Sequence, residues 1–263
     1  MKFNQQNYLD RIKYSGSLVP DLELLQKLQK KHLLNVPFEN LDIHYHIPIE
    51  LNIDRIYEKI VLNNRGGFCY ELNGLFYELL LSLGFNVKRI SARVYKKESN
   101  YSPEFDHFAI VVKIGSNEYL TDVGFGEFIF KPLELQFGKI QKDQRGSFLI
   151  DNYRDEYLRV SKIENGVSTP EYIFKSLERE LDEYEGMCEY HQSNPNSHFM
   201  KKRLISLPTE SGRITITGNI LKIKGKNSET QKKLKKETEF EKELWYNFKI
   251  ALEKPVGNTV YKQ

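Results

Sequence analysis

The sequence predicts an α+β fold: helices first, a β-rich middle, and a last third in which the two are mixed. Three observations predict it. Up to about residue 85 apolar side chains recur at helical three-and-four spacing, most clearly at Leu72, Leu75, Phe76, Leu79, Leu80 and Leu83. From Phe85 the period changes to two, beginning with the strand expected over 87–95. The last third reads as strands at 213–217 and 220–223, then a helix over 239–252 with Phe240, Leu244 and Phe248 on one face.

In chain order, Tyr8, Leu9 and Ile12 begin an amphipathic segment that Ser15-Gly16-Ser17 interrupts. Pro20-Asp21 opens a second helix carrying Leu22, Leu25, Leu28 and Leu33-Leu34. Pro37 ends the regularity within Val36–Leu41, and Ile53, Tyr57, Ile60 and Val61 suggest a short helix. Next comes Arg65-Gly66-Gly67-Phe68-Cys69-Tyr70-Glu71-Leu72-Asn73. Gly66-Gly67 reads as a flexible turn, and Cys69 falls in or just before the first turn of the helix that Gly84 ends. A free cysteine has a pKa of about 8.5, and the unpaired N–H groups and positive dipole of a helix start favour its thiolate. An activated nucleophile exposed in a cleft is expected, against the plainer alternative of a small buried core residue.

The middle holds a hairpin, 105–114 and 118–123, flanking Gly115-Ser116-Asn117 after a polar loop over 96–104. A two-residue turn at Gly115-Ser116 would put His107 opposite Gly124. Asp122 would then be its diagonal neighbour on the same face, about 7–8 Å away at Cα. A three-residue turn would part them. Taken singly, His107 suits a core position and Asp122 a turn; with Cys69 they make a Cys, His, Asp set. Further short strands are expected at 148–150, 157–160 and 171–174, which brings the β-rich stretch to roughly 100 residues, the size of one barrel or sandwich. A turn-rich loop, 190–199, precedes the last third.

Composition narrows the class. The 263 residues, 40% apolar and 13% aromatic, suffice for a core and for one large or two modest domains. A net charge of +3 gives no general attraction to nucleic acid or membrane, and 7 lysines between Lys222 and Lys236 read as a solvated face. Two cysteines make no disulfide framework. No signal core or 18-residue apolar run occurs, so a cytoplasmic protein is expected. No zinc-ligand spacing, glycine-rich dinucleotide loop or phosphate loop is present, and no metal is expected.

Five ordered blocks resemble the arylamine N-acetyltransferases. They are Tyr8–Ile12, Pro37–Leu41, the nucleophile block 65–73, Asp106-His107-Phe108, and Thr121-Asp122-Val123-Gly124-Phe125-Gly126. Ser193–Phe199 matches a shorter sixth, and the chain beyond about Lys224 is least similar. The resemblance implies a helical N-terminal bundle (1–85) carrying the nucleophile and a central β-barrel (86–190) carrying histidine and aspartate. A C-terminal α/β lid (191–263) completes a core like that of cysteine peptidases and transglutaminases. It implies acetyl-CoA as co-substrate, no tightly bound cofactor, and acetyl transfer to arylamines and arylhydrazines through acetylated Cys69, with His107 and Asp122 completing a triad. Phe38 and Phe125 become candidates for the acceptor's apolar wall, and Asn196 and Ser197 for contacts to CoA. A cysteine peptidase or transglutaminase-like acyltransferase, another acyl-CoA donor, and a non-catalytic binding module are the competing readings.

Overall fold

A computed structural model describes residues 2–97, 100–126 and 128–252. Residues 98 and 99 of the expected polar loop, and the chain beyond 252, lie outside them. Among the described residues no helix is long and apolar enough to cross a membrane, and no three His, Cys, Asp or Glu side chains cluster as metal ligands.

The expected helices form at Gln5–Arg11, Leu22–Asn35, Ile53–Tyr57 and Cys69–Ser82. Asp21 caps the second, its carboxylate accepting from the Leu24 N–H at 2.8 Å. Gly84, at φ +87, follows the end of the fourth, where a left-handed residue closes the last turn.

The central sheet is antiparallel and nearly closed. Its main path runs 133–134, 117–121, 107–114, 86–96, 167–174, 158–164, 146–152, 141–143. Where the backbone ladder stops, the Gln141 amide bridges to Glu134, accepting from its N–H at 2.9 Å and donating to its carbonyl at 2.8 Å. Alternation then sorts the side chains. Ile90, Ala92, Ala109, Val111, Phe148, Ile150, Val160 and Phe174 fill the interior. On the other face Phe108, Ile110 and Val112 join the cluster holding Leu72, Leu75, Phe76 and Leu79 of the Cys69–Ser82 helix.

A second antiparallel sheet runs 38–39, 204–209, 212–217, 220–224, 229–233. Its first strand corrects the reading of residues 1–85 as all helix. Phe38–Glu39 lies within that stretch yet pairs with Ser206 and Ile205. The final helix is also shorter than expected: Glu237–Glu243, then a π turn over Leu244–Phe248 that ends at Lys249, φ +59. The apolar face expected there is buried, with Phe240, Leu244 and Phe248 packed on Ile205, Ile216 and Leu221. The lysine run lies on the largely exposed hairpin 220–233 and the segment after it.

Candidate active site

The glycine pair before Cys69 is needed for close approach rather than for flexibility. Neither Gly66 nor Gly67 takes positive φ. A Cβ on Gly66 would stand 2.0 Å from the Pro37 carbonyl oxygen, and one on Gly67 2.8 Å from Glu71 Cβ. That fit lets the Glu39 N–H donate to the Gly67 carbonyl at 2.8 Å, tying the helix start to the strand Phe38–Glu39. Glu71 reaches back to accept from the Phe68 N–H at 3.1 Å, and the helix begins at Cys69.

Below this turn lies a buried charge network. Arg65 meets Glu39 at 2.8 Å and Asp42 at 2.7 Å, while Lys59 meets Asp42 and Glu71, each at 2.7 Å. Burial alone would lower the Lys59 pKa, but Glu71, Glu39 and Asp42 carry it above its ordinary value. Arg65 and Glu39 form a buried ion pair within this network.

The hairpin turns at Gly115-Ser116, with Ile114 paired to Asn117 and Gly115 at φ +61. Continuing that register puts His107 opposite Gly124 and Asp122 on the diagonal. Their side chains meet: His107 Nε2 lies 2.7 Å from Asp122 Oδ2, with the residues 2% and 1% exposed. Asp122 also accepts from Tyr172 Oη at 3.2 Å, Asn73 Nδ2 at 2.9 Å and the Gly124 N–H at 2.9 Å. Four donors hold one carboxylate in place.

Asn73 joins the nucleophile's helix to both other elements. Its Nδ2 donates to the Phe108 carbonyl at 2.6 Å as well as to Asp122, and its Oδ1 accepts from the Val123 N–H at 2.9 Å. Gly124 packs so closely that an added Cβ would lie 2.8 Å from Cys69 Cα and 2.8 Å from Asn73 Nδ2. The three residues of the Cys, His, Asp set are therefore brought into one buried locality.

One expectation is corrected. Cys69 is 3% exposed rather than open to a cleft. Burial pushes its thiol pKa up, Asp106 and then Asp122 add to the rise, and a hydrogen bond from the Phe108 backbone opposes it. The helix start alone does not make a thiolate here. A proton acceptor is required, and with Nε2 of His107 committed to Asp122, Nδ1 is the ring nitrogen left for that task.

Phe125 sets its ring edge-on to His107 at 5.1 Å and to Tyr172 at 5.0 Å. Phe38, half-buried, faces Phe199 at 6.0 Å. Asn196 is exposed, whereas Ser197 is buried and its hydroxyl engages His191 and the Phe199 N–H.

A family model described as N-acetyltransferase matches residues 21–256. The pineal gland isozyme NAT-3 arylamine N-acetyltransferase of Gallus gallus is 32% identical over 95% of this chain and 94% of its own. The chain belongs to the arylamine N-acetyltransferases. Solved members share the fold of this acetyltransferase. The Mycobacterium marinum enzyme, determined in complex with CoA, superposes with a TM-score of 0.86 at 28% identity, covering 94% of this chain and 93% of that one. A Bacillus cereus member, described as having a unique Cys-His-Glu catalytic triad, gives 0.88 at 26% identity over 96% and 100%.

Several residues that build the acetyltransferase's site were not singled out from its sequence. Asn73 had a signal: it lies four residues after Cys69, a lone amide on the same helix face in an apolar run. Tyr172 had none, because only the closed sheet brings it near.

Proposed function

We propose that this acetyltransferase carries the acetyl group of acetyl-CoA to arylamines and arylhydrazines by double displacement through acetylated Cys69. The observation that carries the proposal is the buried 2.7 Å His107–Asp122 bond beside the start of the cysteine helix. His107 Nδ1 takes the thiol proton as sulfur attacks the thioester carbonyl, while Asp122 fixes the tautomer and supports the imidazolium. Backbone N–H groups at the helix start, including that of Cys69, hold the oxyanion. The C–S bond to CoA breaks, CoA leaves with the proton from His107, and Cys69 keeps the acetyl group. The amine then attacks that thioester, His107 removes an amine proton, and the Cys69 thiolate departs.

Burying the thiol suits this cycle. Raised thiol pKa keeps sulfur protonated until a substrate and the imidazole are in place. Phe125, edge-on to His107, and Phe38 are the proposed apolar wall for the aromatic acceptor. CoA is proposed to approach the 193–199 segment with Asn196 as an exposed donor; Ser197 would contribute by shaping that segment, since its hydroxyl is already engaged. Both cysteines are free and buried, which fits a reducing compartment.

Intact-mass measurement after mixing with acetyl-CoA alone tests the route. One acetyl group is expected on the wild type and none on Cys69→Ala, and adding an aromatic amine should remove it. Turnover by Cys69→Ala, or turnover with no adduct on the wild type, would overturn it.

A further inference from the structure

The second sheet and the aspartate loop meet at one buried cation. Arg213, in the strand Gly212–Thr217, is 7% exposed. Its Nη1 donates to Ser206 Oγ and its Nη2 to the Gly126 carbonyl, each at 2.7 Å. A guanidinium is planar and its N–H groups form a fixed fork, so holding both oxygens at once fixes how far apart they lie. The turn before Arg213 is fastened separately. Arg145 Nη1 donates to the Gly212 carbonyl at 3.0 Å, and a Cβ on Gly212 would fall 1.7 Å from the Lys224 carbonyl oxygen.

The two oxygens belong to opposite sides of the proposed acceptor wall. Ser206 lies directly across from Phe38 on one neighbouring strand and from Thr215 on the other, and residues opposed in this way share a sheet face. Ser206 Oγ also meets Thr215 Oγ1 at 2.9 Å. Arg213, two residues before Thr215, lies on that same face. Gly126 directly follows Phe125, whose ring stands 5.1 Å from that of His107. The loop over 122–126 is thus held at both ends. Asn73 takes the Val123 N–H at one, Arg213 takes the Gly126 carbonyl at the other, and Phe125 sits just inside the second fastening.

We propose that Arg213 sets the gap between Phe38 and Phe125, and so determines which sizes of aromatic acceptor the site takes. It is a positioning residue, acting through the Gly126 backbone and the strand that pairs with Phe38. The proposal rests on those two rings forming the acceptor wall, as above, and gives Arg213 no contact with the acetyl donor.

Steady-state kinetics of the full chain test it, with acetyl-CoA as donor and aniline or a naphthylamine as one-ring and two-ring acceptors. In a double displacement, kcat/KM for the donor reads acetylation of Cys69, and kcat/KM for the amine reads removal of the acetyl group. Arg213→Lys keeps the charge but replaces the fork with a compact ammonium. Its kcat/KM for the amines should fall about tenfold, while the value for acetyl-CoA stays within about twofold of wild type. The ratio of kcat/KM between the two amines, which reads discrimination by size, should shift by about threefold or more. Ser206→Ala removes the acceptor of one arm only and should move that ratio in the same direction by less; it decides the matter should Arg213→Lys not fold. An unchanged ratio, or a donor value that falls as far as the amine values, would overturn the proposal. The ratio does not depend on the route of transfer. A wild type that turns over without an acetyl adduct would sink the double displacement, while a shifted ratio would still uphold Arg213.

Discussion

Asn73 serves three partners on two elements with one side chain, and each partner is buried. Asn73→Ala would leave the Phe108 carbonyl, an Asp122 oxygen and the Val123 N–H each short of a partner. At about 1–3 kcal/mol per unsatisfied buried group, tempered by relaxation, a loss of roughly 2–5 kcal/mol in urea unfolding is expected. Tyr172→Phe removes a single 3.2 Å bond from a carboxylate that keeps three others, so a loss of about 1 kcal/mol is expected from the same measurement. A Tyr172→Phe loss as large as that of Asn73→Ala would show that the four donors to Asp122 are not interchangeable. Asp122→Asn takes away the charge that orients and supports the imidazole, and acetyl transfer should fall by about 10²–10⁴-fold in steady-state rates. The triad candidates could be read from sequence because they are chemical types at fixed chain positions. The groups that hold them could not, apart from Asn73, because a tyrosine some fifty residues downstream carries no mark of its partner.

Elements were legible where one local rule fixed them. Given a two-residue turn, the hairpin's register and the His107–Asp122 pairing follow; the choice between two and three turn residues was open in the sequence, and Ile114 paired with Asn117 decides it. The strand Phe38–Glu39 could not be read in this way. Two residues have no period, and their partner strand is more than 160 residues away. The glycines around Cys69 were visible but misjudged, since close approach leaves no more trace in a sequence than a flexible turn does. That difference can be tested. Gly124→Ala would force a Cβ to within 2.8 Å of Cys69 Cα, pushing the aspartate loop off the cysteine helix, whereas a Cβ on Gly126 meets nothing within 4 Å. Gly124→Ala should therefore lose more than tenfold in acetyl transfer, since small misplacements of reacting groups are costly. Gly126→Ala should stay within about 0.5 kcal/mol of wild type in unfolding. Equal behaviour of the two variants would mean that the contact at Gly124 does not position the site.

At the scale of the whole molecule, the core keeps ionisable groups whose protonation opposes folding. His32 is fully buried against Phe76, its Nδ1 2.9 Å from the Tyr8 hydroxyl. Burial, and then the nearby Arg11, push its pKa down to about 3. In the unfolded chain it would titrate near 6.5. Between those limits the unfolded state binds more protons than the folded one, so stability falls as pH drops below about 6.5. Integrated from pH 7 to pH 5, one such histidine amounts to about 2 kcal/mol, or roughly 4–8 °C in melting temperature for a chain of this size. Asp42 and Asp106, whose pKa values are held below the usual range, add a further loss in stronger acid as their carboxylates protonate. His32→Leu would be less stable at neutral pH because the Tyr8 hydroxyl loses its partner. The slope is what identifies the cause: the loss between pH 7 and pH 5 should shrink by about 2 kcal/mol relative to wild type, measured as thermal melts at matched ionic strength. An unchanged slope would mean that His32 keeps the same proton in both states and that the acid sensitivity lies with the other buried groups.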